Sequence, residues 1–236
     1  MKTKTTLITG GGSGIGATLT KNLIAKGEVV VTLGLDLPNW KHDNLISYQA
    51  DLTDTEQTNE AAQLISSSHK INNIVHNAGM ILPNLLPKVK TDDILTLSHL
   101  HLAAPIALTQ AILPNMINDK NGRIVFISSR ASMGMPTRSA YAATKAGIHG
   151  LAKTWALELA ENNIAPGPVL TQNFWDLVPK DSELQQEISD NIPVGRIGTT
   201  GDIANAVEFF LDEKASFVTG QVLYVCGGTS LKGLGT

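Results

Sequence analysis

Thr5-Thr6-Leu7-Ile8-Thr9 runs directly into Gly10-Gly11-Gly12-Ser13-Gly14-Ile15-Gly16, and apolar residues then recur at helical spacing as far as Ala25. The first five residues are short, apolar and β-branched, which reads as a strand, and Ile15 to Ala25 reads as a helix. A strand, a glycine turn and a helix in that order gather unsatisfied backbone N–H groups and the positive helix end at one spot. That spot suits a pyrophosphate. Gly10, Gly14 and Gly16 follow the spacing G-x-x-x-G-x-G, where a Cβ would block a ligand's approach or a turn's positive φ.

Outward from this unit the same alternation continues. Val29 to Leu33 and Leu45 to Gln49 read as strands, and Ile74 to His76 as a fourth, closed by the turn Asn77-Ala78-Gly79. A long helix carrying Leu97, Leu100, Leu108 and Leu113 leads to a buried strand, Arg123 to Ser128. A helix from about Ala140 to Ala160 and a last strand, Gln221 to Val225, complete the pattern. Strands alternating with crossover helices predict an α/β fold with a parallel sheet. There is no repeat or linker, so one domain over 1–236 is expected.

Composition bounds the function. The chain has 236 residues, 42% hydrophobic and 17% charged, with a net charge of −3, which suits a packed core and gives no electrostatic case for nucleic acid. Cys226 is the single cysteine and excludes an internal disulfide, so a reducing, cytoplasmic setting is expected. No apolar run in the sequence approaches the roughly 20 residues that span a bilayer, and no secretory signal follows Met1-Lys2-Thr3-Lys4. The expectation is a soluble protein without a membrane partner. The six histidines show no metal-ligand spacing, so no metal site is expected.

Asp36 follows the last of the glycines by about twenty residues, where a ribose 2′-hydroxyl would lie. A carboxylate there accepts that hydroxyl's hydrogen bond and repels a 2′-phosphate. No Arg or Lys stands between Gly27 and Asp36, so NAD is favoured over NADP; the other reading of Asp36 is a turn residue before Pro38. Asp51 is either a helix N-terminal acid or an adenine-edge contact. Asn77-Ala78-Gly79 is either a cofactor contact or only a tight turn.

Tyr141 and Lys145 are four residues apart and share a helical face. A free phenol, near pKa 10, is a poor base at neutral pH. One ammonium about 4 Å away, at an effective dielectric near 20, contributes on the order of 4 kcal/mol toward tyrosinate. Ser129 closes the preceding strand and could hold a substrate oxygen beside the tyrosine; Ser128 is the alternative, since alternation points only one of them into the cleft. Such a set moves a proton on and off an alcohol oxygen while hydride passes at the adjacent carbon.

With these motifs in place, the sequence resembles the short-chain dehydrogenase/reductase family over nearly its whole length. The likeness includes the T-G-x-x-x-G-I-G turn, Asp51, Asn77-Ala78-Gly79, and the serine with Tyr141 and Lys145. It continues through Pro166-Gly167 and from Val218-Thr219-Gly220-Gln221 to Gly227-Gly228. The resemblance implies a Rossmann-like, doubly wound parallel sheet flanked by helices on both faces, a nicotinamide cofactor, and a homotetramer or homodimer. It implies cofactor contacts at Gly10, Gly12, Ser13, Gly14, Ile15, Gly16, Asp36, Asp51, Leu52, Asn77, Ala78, Gly79, Tyr141, Pro166, Gly167 and Val169. Lys145 would touch the nicotinamide ribose and Thr171 its carboxamide. His101 stands where the family has an asparagine whose backbone holds a water in the proton relay, so His101 joins the catalytic candidates or is simply a packing residue.

Two further expectations come from the second half. Glu161-Asn162-Asn163-Ile164 runs almost directly into Ala165-Pro166-Gly167, yet a parallel crossover needs a return strand of about five residues. The reading is that residues of the working protein are missing from the sequence around Asn163 and Ile164. Residues 171–196, with Phe174, Trp175, Leu177, Val178 and Pro193, are either an apolar substrate lid or a surface helix packed on its own domain. The functional expectation is a hydride transfer between NAD(H) and a small alcohol or ketone. The alternatives are an idle dinucleotide-binding protein that senses redox state or serves assembly, and a family epimerase or dehydratase.

Overall fold

Residues 3–162, 164–171 and 182–231 are described by the computed structural model. Among these described residues seven parallel strands form one sheet in the order β3-β2-β1-β4-β5-β6-β7. They are β1 Thr5–Thr9, β2 Val29–Gly34, β3 Leu45–Gln49, β4 Asn73–His76, β5 Gly122–Ser129, β6 Ile164–Thr171 and β7 Leu223–Val225. The order reverses between β1 and β4, and a parallel sheet places its ligand crevice at the carboxyl ends of the strands on either side of such a switch.

Period-two alternation of the strands divides the core between two faces. Leu7, Val31, Ile74, Ile124 and Phe126 point to one side. There they meet Ile65 of α2 (Thr55–Ser68), Leu108 and Ile112 of α4 (Ala104–Asp119), and Ile148 and Ala152 of α5 (Ser139–Leu159). Ile8, Val30, Val75, Val125 and Ile127 point to the other. They pack on Leu19 and Leu23 of α1 (Gly14–Ala25) and on Ile203, Val207 and Phe210 of α7 (Thr200–Leu211). Residues adjacent in sequence, such as Leu7 and Ile8, thus serve opposite layers. α6, Ser182–Asp190, opens the third described stretch and precedes α7 in the chain.

The single long helix expected around Leu97 to Leu113 is not uniform. α3, Thr91–Ser98, passes into a π-helical stretch, His99–Ala103, before α4 begins. The wider turn rotates the helix face and turns His101 inward, to 2% exposure. The whole run, Thr91–Asp119, is 29 residues long and is apolar enough by length and composition to cross a bilayer. It exceeds the apolar runs counted in the sequence, and its buried side chains, Leu97, Leu100, Leu108, Ile112 and Met116, face the protein core.

The return strand thought to be missing is present. β6 pairs along its full length with β5, from Gly122↔Ile164 to Ser129↔Thr171. Residues expected to form a turn have been drawn into the strand: Pro166 stands opposite Ile124 and Gly167 opposite Val125. Residues two apart direct their backbone toward the same edge, and β7 joins β6 only from Val169 onward. Pro166 and Pro168 therefore leave no ladder donor wanting on that side. Gly167 is needed for packing, since a Cβ would stand 2.8 Å from Phe210. Asn163 itself, and Phe174, Trp175, Leu177 and Val178 of the expected lid, lie outside the described residues.

Candidate functional site

A cleft of about 300 Å³ opens at the β1/β4 switch. Ser13 is the residue before α1, and its side chain makes no capping bond; the first turn of α1 also holds no acidic residue. The N–H groups at that helix end therefore face the cleft without a resident anion, the condition for receiving a phosphate. Gly14 has φ +52°, and a Cβ there would meet nothing within 4 Å. The turn thus fits a bulky anionic ligand.

Of the expected cofactor contacts, Gly10, Ser13, Gly14, Ile15, Asp36, Asp51, Leu52, Asn77, Ala78, Gly79, Tyr141 and Lys145 line this cleft. Gly12 and Gly16 do not. Gly12 brings the turn against the backbone of Asp36, and Gly16 brings α1 against the backbone of Gly10; an added Cβ would lie 2.1 Å from the carbonyl oxygen in each case. Both glycines shape the turn from behind. Pro166, Gly167, Val169 and Thr171 all belong to β6, which absorbed the expected turn, and Thr171 ends that strand opposite Ser129.

Asp51 is not the helix N-terminal acid: Asp54 caps α2 by accepting from the Gln57 N–H at 3.0 Å. The Asp51 carboxylate instead accepts from the N–H and hydroxyl of Thr53, both at 2.8 Å, at the rim of the cleft. Asn77 is more than a turn residue. Its amide donates to the carbonyls of Thr9 and Gly10, each at 3.0 Å, tying β4 to the glycine turn. Gly79 has no positive φ; it is small because a Cβ would stand 3.1 Å from His101 Nε2 and 3.3 Å from Lys145 Nζ.

Tyr141 and Lys145 are both buried, at 3% exposure. A side-chain hydrogen bond joins Tyr141 to Ser129, whose hydroxyl also accepts from the Ala131 N–H at 3.2 Å. Ser128 donates to the Lys145 carbonyl at 3.1 Å and lies 2.9 Å from His149 Nε2, and of the two serines it is the one among the cleft-lining residues. Alternation at the end of β5 thus turns Ser129 toward Tyr141.

The electrostatics differ from the simple pair read in the sequence. Lys145 Nζ lies 5.6 Å from the Tyr141 ring centre and donates to the Ile127 carbonyl at 2.8 Å. Burial brings Lys145 down to about 7. Burial raises the Tyr141 phenol above its ordinary value, while the Ser129 hydrogen bond and the Arg138 charge pull it down. In this structure desolvation outweighs the attraction expected from a neighbouring ammonium.

His101 stacks edge-on against Tyr141, with ring centres 5.6 Å apart. Its Nδ1 lies 2.9 Å from the Thr144 hydroxyl. Neither Thr144 nor Arg138 was expected at the site, nor was His76, which is buried against Phe126 with ring centres 5.0 Å apart. The signals were their positions: His76 directly precedes Asn77-Ala78-Gly79, and Arg138 and Thr144 flank Tyr141 by three residues on either side. Among the described residues no group of three acids, histidines or cysteines could hold a metal ion.

The buried histidines give the fold an acid sensitivity. Burial lowers His76 to about 3 and His101 to about 2, so between these values and the unfolded value near 6.5 the unfolded chain binds more protons. Their contribution to stability is complete above pH 6.5 and is lost as the pH falls toward 3. Thermal midpoints measured from pH 8 to pH 4 should decline steadily below 6.5, and His76→Gln should flatten that decline. An unchanged slope in the variant would contradict this account.

The arrangement matches known proteins throughout. A family model described as enoyl-(acyl carrier protein) reductase matches residues 10–230. A 3-oxoacyl-(acyl-carrier-protein) reductase of Thermotoga maritima is 33% identical over 243 residues, covering 95% of this chain and 97% of that protein. A hydroxy(phenyl)methylsuccinyl-CoA dehydrogenase subunit of Thauera aromatica is 32% identical, covering 98% of each. A crystal structure from Beutenbergia cavernae, with NADP bound at low occupancy, superposes with a TM-score of 0.86 at 27% identity over 97% of both chains. A short-chain dehydrogenase of Leptospira borgpetersenii with bound NAD+ shares the fold, with a TM-score of 0.87 at 22% identity over 98% of this chain and 94% of that one. The glycine turn, the parallel sheet and the matched length together make this chain a member of the short-chain dehydrogenase/reductase family of oxidoreductases.

Proposed function

We propose that the chain transfers hydride between NAD(H) and an alcohol or ketone, with Ser129, Tyr141 and Lys145 as its catalytic residues. The observation that carries this reading is the convergence of Tyr141 and Lys145 on the cleft that also holds the open end of α1. Ser129 holds the substrate oxygen beside Tyr141, and the phenol gives a proton to that oxygen in reduction or removes it in oxidation. Lys145, fixed on the Ile127 carbonyl, lends positive charge when protonated and favours tyrosinate. A nicotinamide bound in the cleft supplies the hydride chemistry and, when oxidised, a second positive charge. The N–H groups of α1 and Gly14 would take the pyrophosphate, and Asp36 the adenosine ribose.

Preference for NAD rests on Asp36, exposed just past β2 at the cleft edge. A cytoplasmic enzyme assembled as a homotetramer or homodimer belongs to the same reading. It is supported by the unpaired Cys226 and by exposed Leu157 on α5 and Phe217 before β7.

The test measures NADH and NADPH absorbance against sugars, hydroxy acids, steroids, aliphatic alcohols and 3-oxoacyl thioesters, the last chosen for the Thermotoga maritima relative. Turnover with NADH ahead of NADPH is expected, and Asp36→Ala should shrink that preference about tenfold, or about 1.4 kcal/mol. Cofactor binding with no turnover anywhere in the panel would favour the redox-sensing or assembly role. Product formation without net NADH change would favour an epimerase or dehydratase.

A further inference from the structure

Arg138 stands three residues before Tyr141, and its carbonyl accepts from the Ala142 N–H, so it joins the turn of helix that presents the phenol. It is half-buried, and its positive charge reaches the Tyr141 phenol. The residue before it, Thr137, is held at φ +67°, a conformation that a β-branched side chain resists and that gathers at functional sites. Two neighbours hold it there. The Asn84 N–H donates to the Thr137 carbonyl at 3.0 Å, joining the loop after β4 to the approach to α5. Arg138 Nη1 donates to the Thr137 hydroxyl at 2.7 Å and reaches its carbonyl at 3.5 Å. The side-chain bonds of Arg138 to described residues thus run through Nη1, and the edge formed by Nε and Nη2 is left over. Arg196, by contrast, grips Asp202 through Nη1 and Nη2, both at 2.8 Å. No carboxylate among the described residues pairs with Arg138.

We propose that Arg138 binds a carboxylate carried by the substrate, so that the enzyme acts on short hydroxy or oxo acids. The inference deepens the catalytic reading above and rests on it. A guanidinium edge matches a carboxylate with two parallel N–H bonds. Side chains one helical turn apart are neighbours, about 5–6 Å between Cβ atoms, so the anion sits only a few bonds from the oxygen held by Ser129 and Tyr141. That spacing selects the source of the charge. A carboxylate on the same small molecule fits it, whereas the phosphate of a carrier or coenzyme arm lies many bonds from the reacting carbonyl. Ile81, Leu82, Leu97 and Met135 pack around Tyr141 and keep water from that side of the site, which strengthens the pairing over one in open solvent. The carboxylate itself does not react. The alcohol carbon gives its hydride to NAD+, the hydroxyl proton passes to Tyr141, and Arg138 holds the other end of the molecule.

The 2-, 3- and 4-hydroxypentanoates differ only in the separation of hydroxyl from carboxylate. At least one should be oxidised with a kcat/KM about thirtyfold above that of its methyl ester, the worth of a charged hydrogen-bonded pair. Arg138→Gln should lower kcat/KM for that acid by about thirtyfold, mainly through KM, and leave the ester within about threefold. Arg138→Lys, a point charge without the fork, should fall between the two. Equal rates on acids and esters in the wild type overturn the proposal, as does an acid preference that survives in Arg138→Gln. Activity on 3-oxoacyl thioesters with none on the acids overturns it too. If Arg138→Gln does not fold, the wild-type ratio and Arg138→Lys decide. Ligand-observed NMR gives a reading apart from turnover: pentanoate, and not pentanamide, should bind the wild type and fail to bind Arg138→Gln. Pentanoate binding that the glutamine variant leaves unchanged counts against the proposal. A wild-type protein that turns over no alcohol at all would refute the catalytic reading, and the NMR pattern then decides this one.

Discussion

Tyr141→Phe should reduce kcat/KM by about 10³-fold or more while leaving NADH affinity within about twofold. The substitution removes one oxygen from a side chain that is 3% exposed and keeps the ring, so the contact with His101 and the packing on Leu97 and Ala140 remain. What disappears is the group that exchanges a proton with the substrate and the hydrogen bond to Ser129. Lys145 loses no hydrogen bond in the exchange, because its ammonium is held by the Ile127 carbonyl. Stability should therefore change by only about 1 kcal/mol, the ordinary worth of one buried hydrogen bond. Steady-state turnover and NADH fluorescence titration on the same preparation separate the two effects. A variant that retains a tenth of wild-type activity would show that the phenol is not the proton carrier.

How far such an arrangement can be read from sequence depends on whether it is local. β1 and β3 have the bounds read from their β-branched runs, because alternation and flanking turns fix a strand within five or six residues. Tyr141 and Lys145 were legible as neighbours for the same reason, being one helical turn apart. Their protonation was not. Burial is a property of the whole fold, and it was burial that raised the phenol and lowered the lysine against a pair attraction judged from spacing alone. The π-helical turn at His99–Ala103 left no mark in the apolar spacing, since it widens the helix by one residue while Leu97, Leu100 and Leu108 all stay buried. β6 misled in the opposite sense. Ala165-Pro166-Gly167-Pro168 carries local turn chemistry, but eight positions of pairing with β5 override it where the far edge has no strand to satisfy. His76 of β4 and His101 of the π-helical turn line one small cavity, and no sequence spacing encodes that meeting.

The glycine turn gives the second large effect. Gly16→Ala should lower stability by about 3 kcal/mol, near the upper end for overpacking a closed site, and weaken NADH binding at least about tenfold. The added methyl would lie 2.1 Å from the Gly10 carbonyl oxygen, 2.7 Å from Asn77 Nδ2 and 2.9 Å from the Gly10 carbonyl carbon. Two of these are backbone atoms that cannot rotate aside, and Gly10 is itself held at φ +66°. The third belongs to the amide that ties Gly10 and Thr9 to β4. Relief of the clash must therefore move α1 away from β1 or break that tie, and either change displaces the N–H groups of the first helical turn from the cleft. Gly14→Ala is the matched control. It meets nothing within 4 Å but must hold φ +52°, at a cost of about 1–2 kcal/mol for a left-handed residue. Thermal unfolding should place Gly16→Ala well below Gly14→Ala, by several degrees for a chain of this size. Equal midpoints would mean that the glycines matter for their backbone angles alone, and that the close approach of α1 to Gly10 is not what shapes the phosphate end of the cleft.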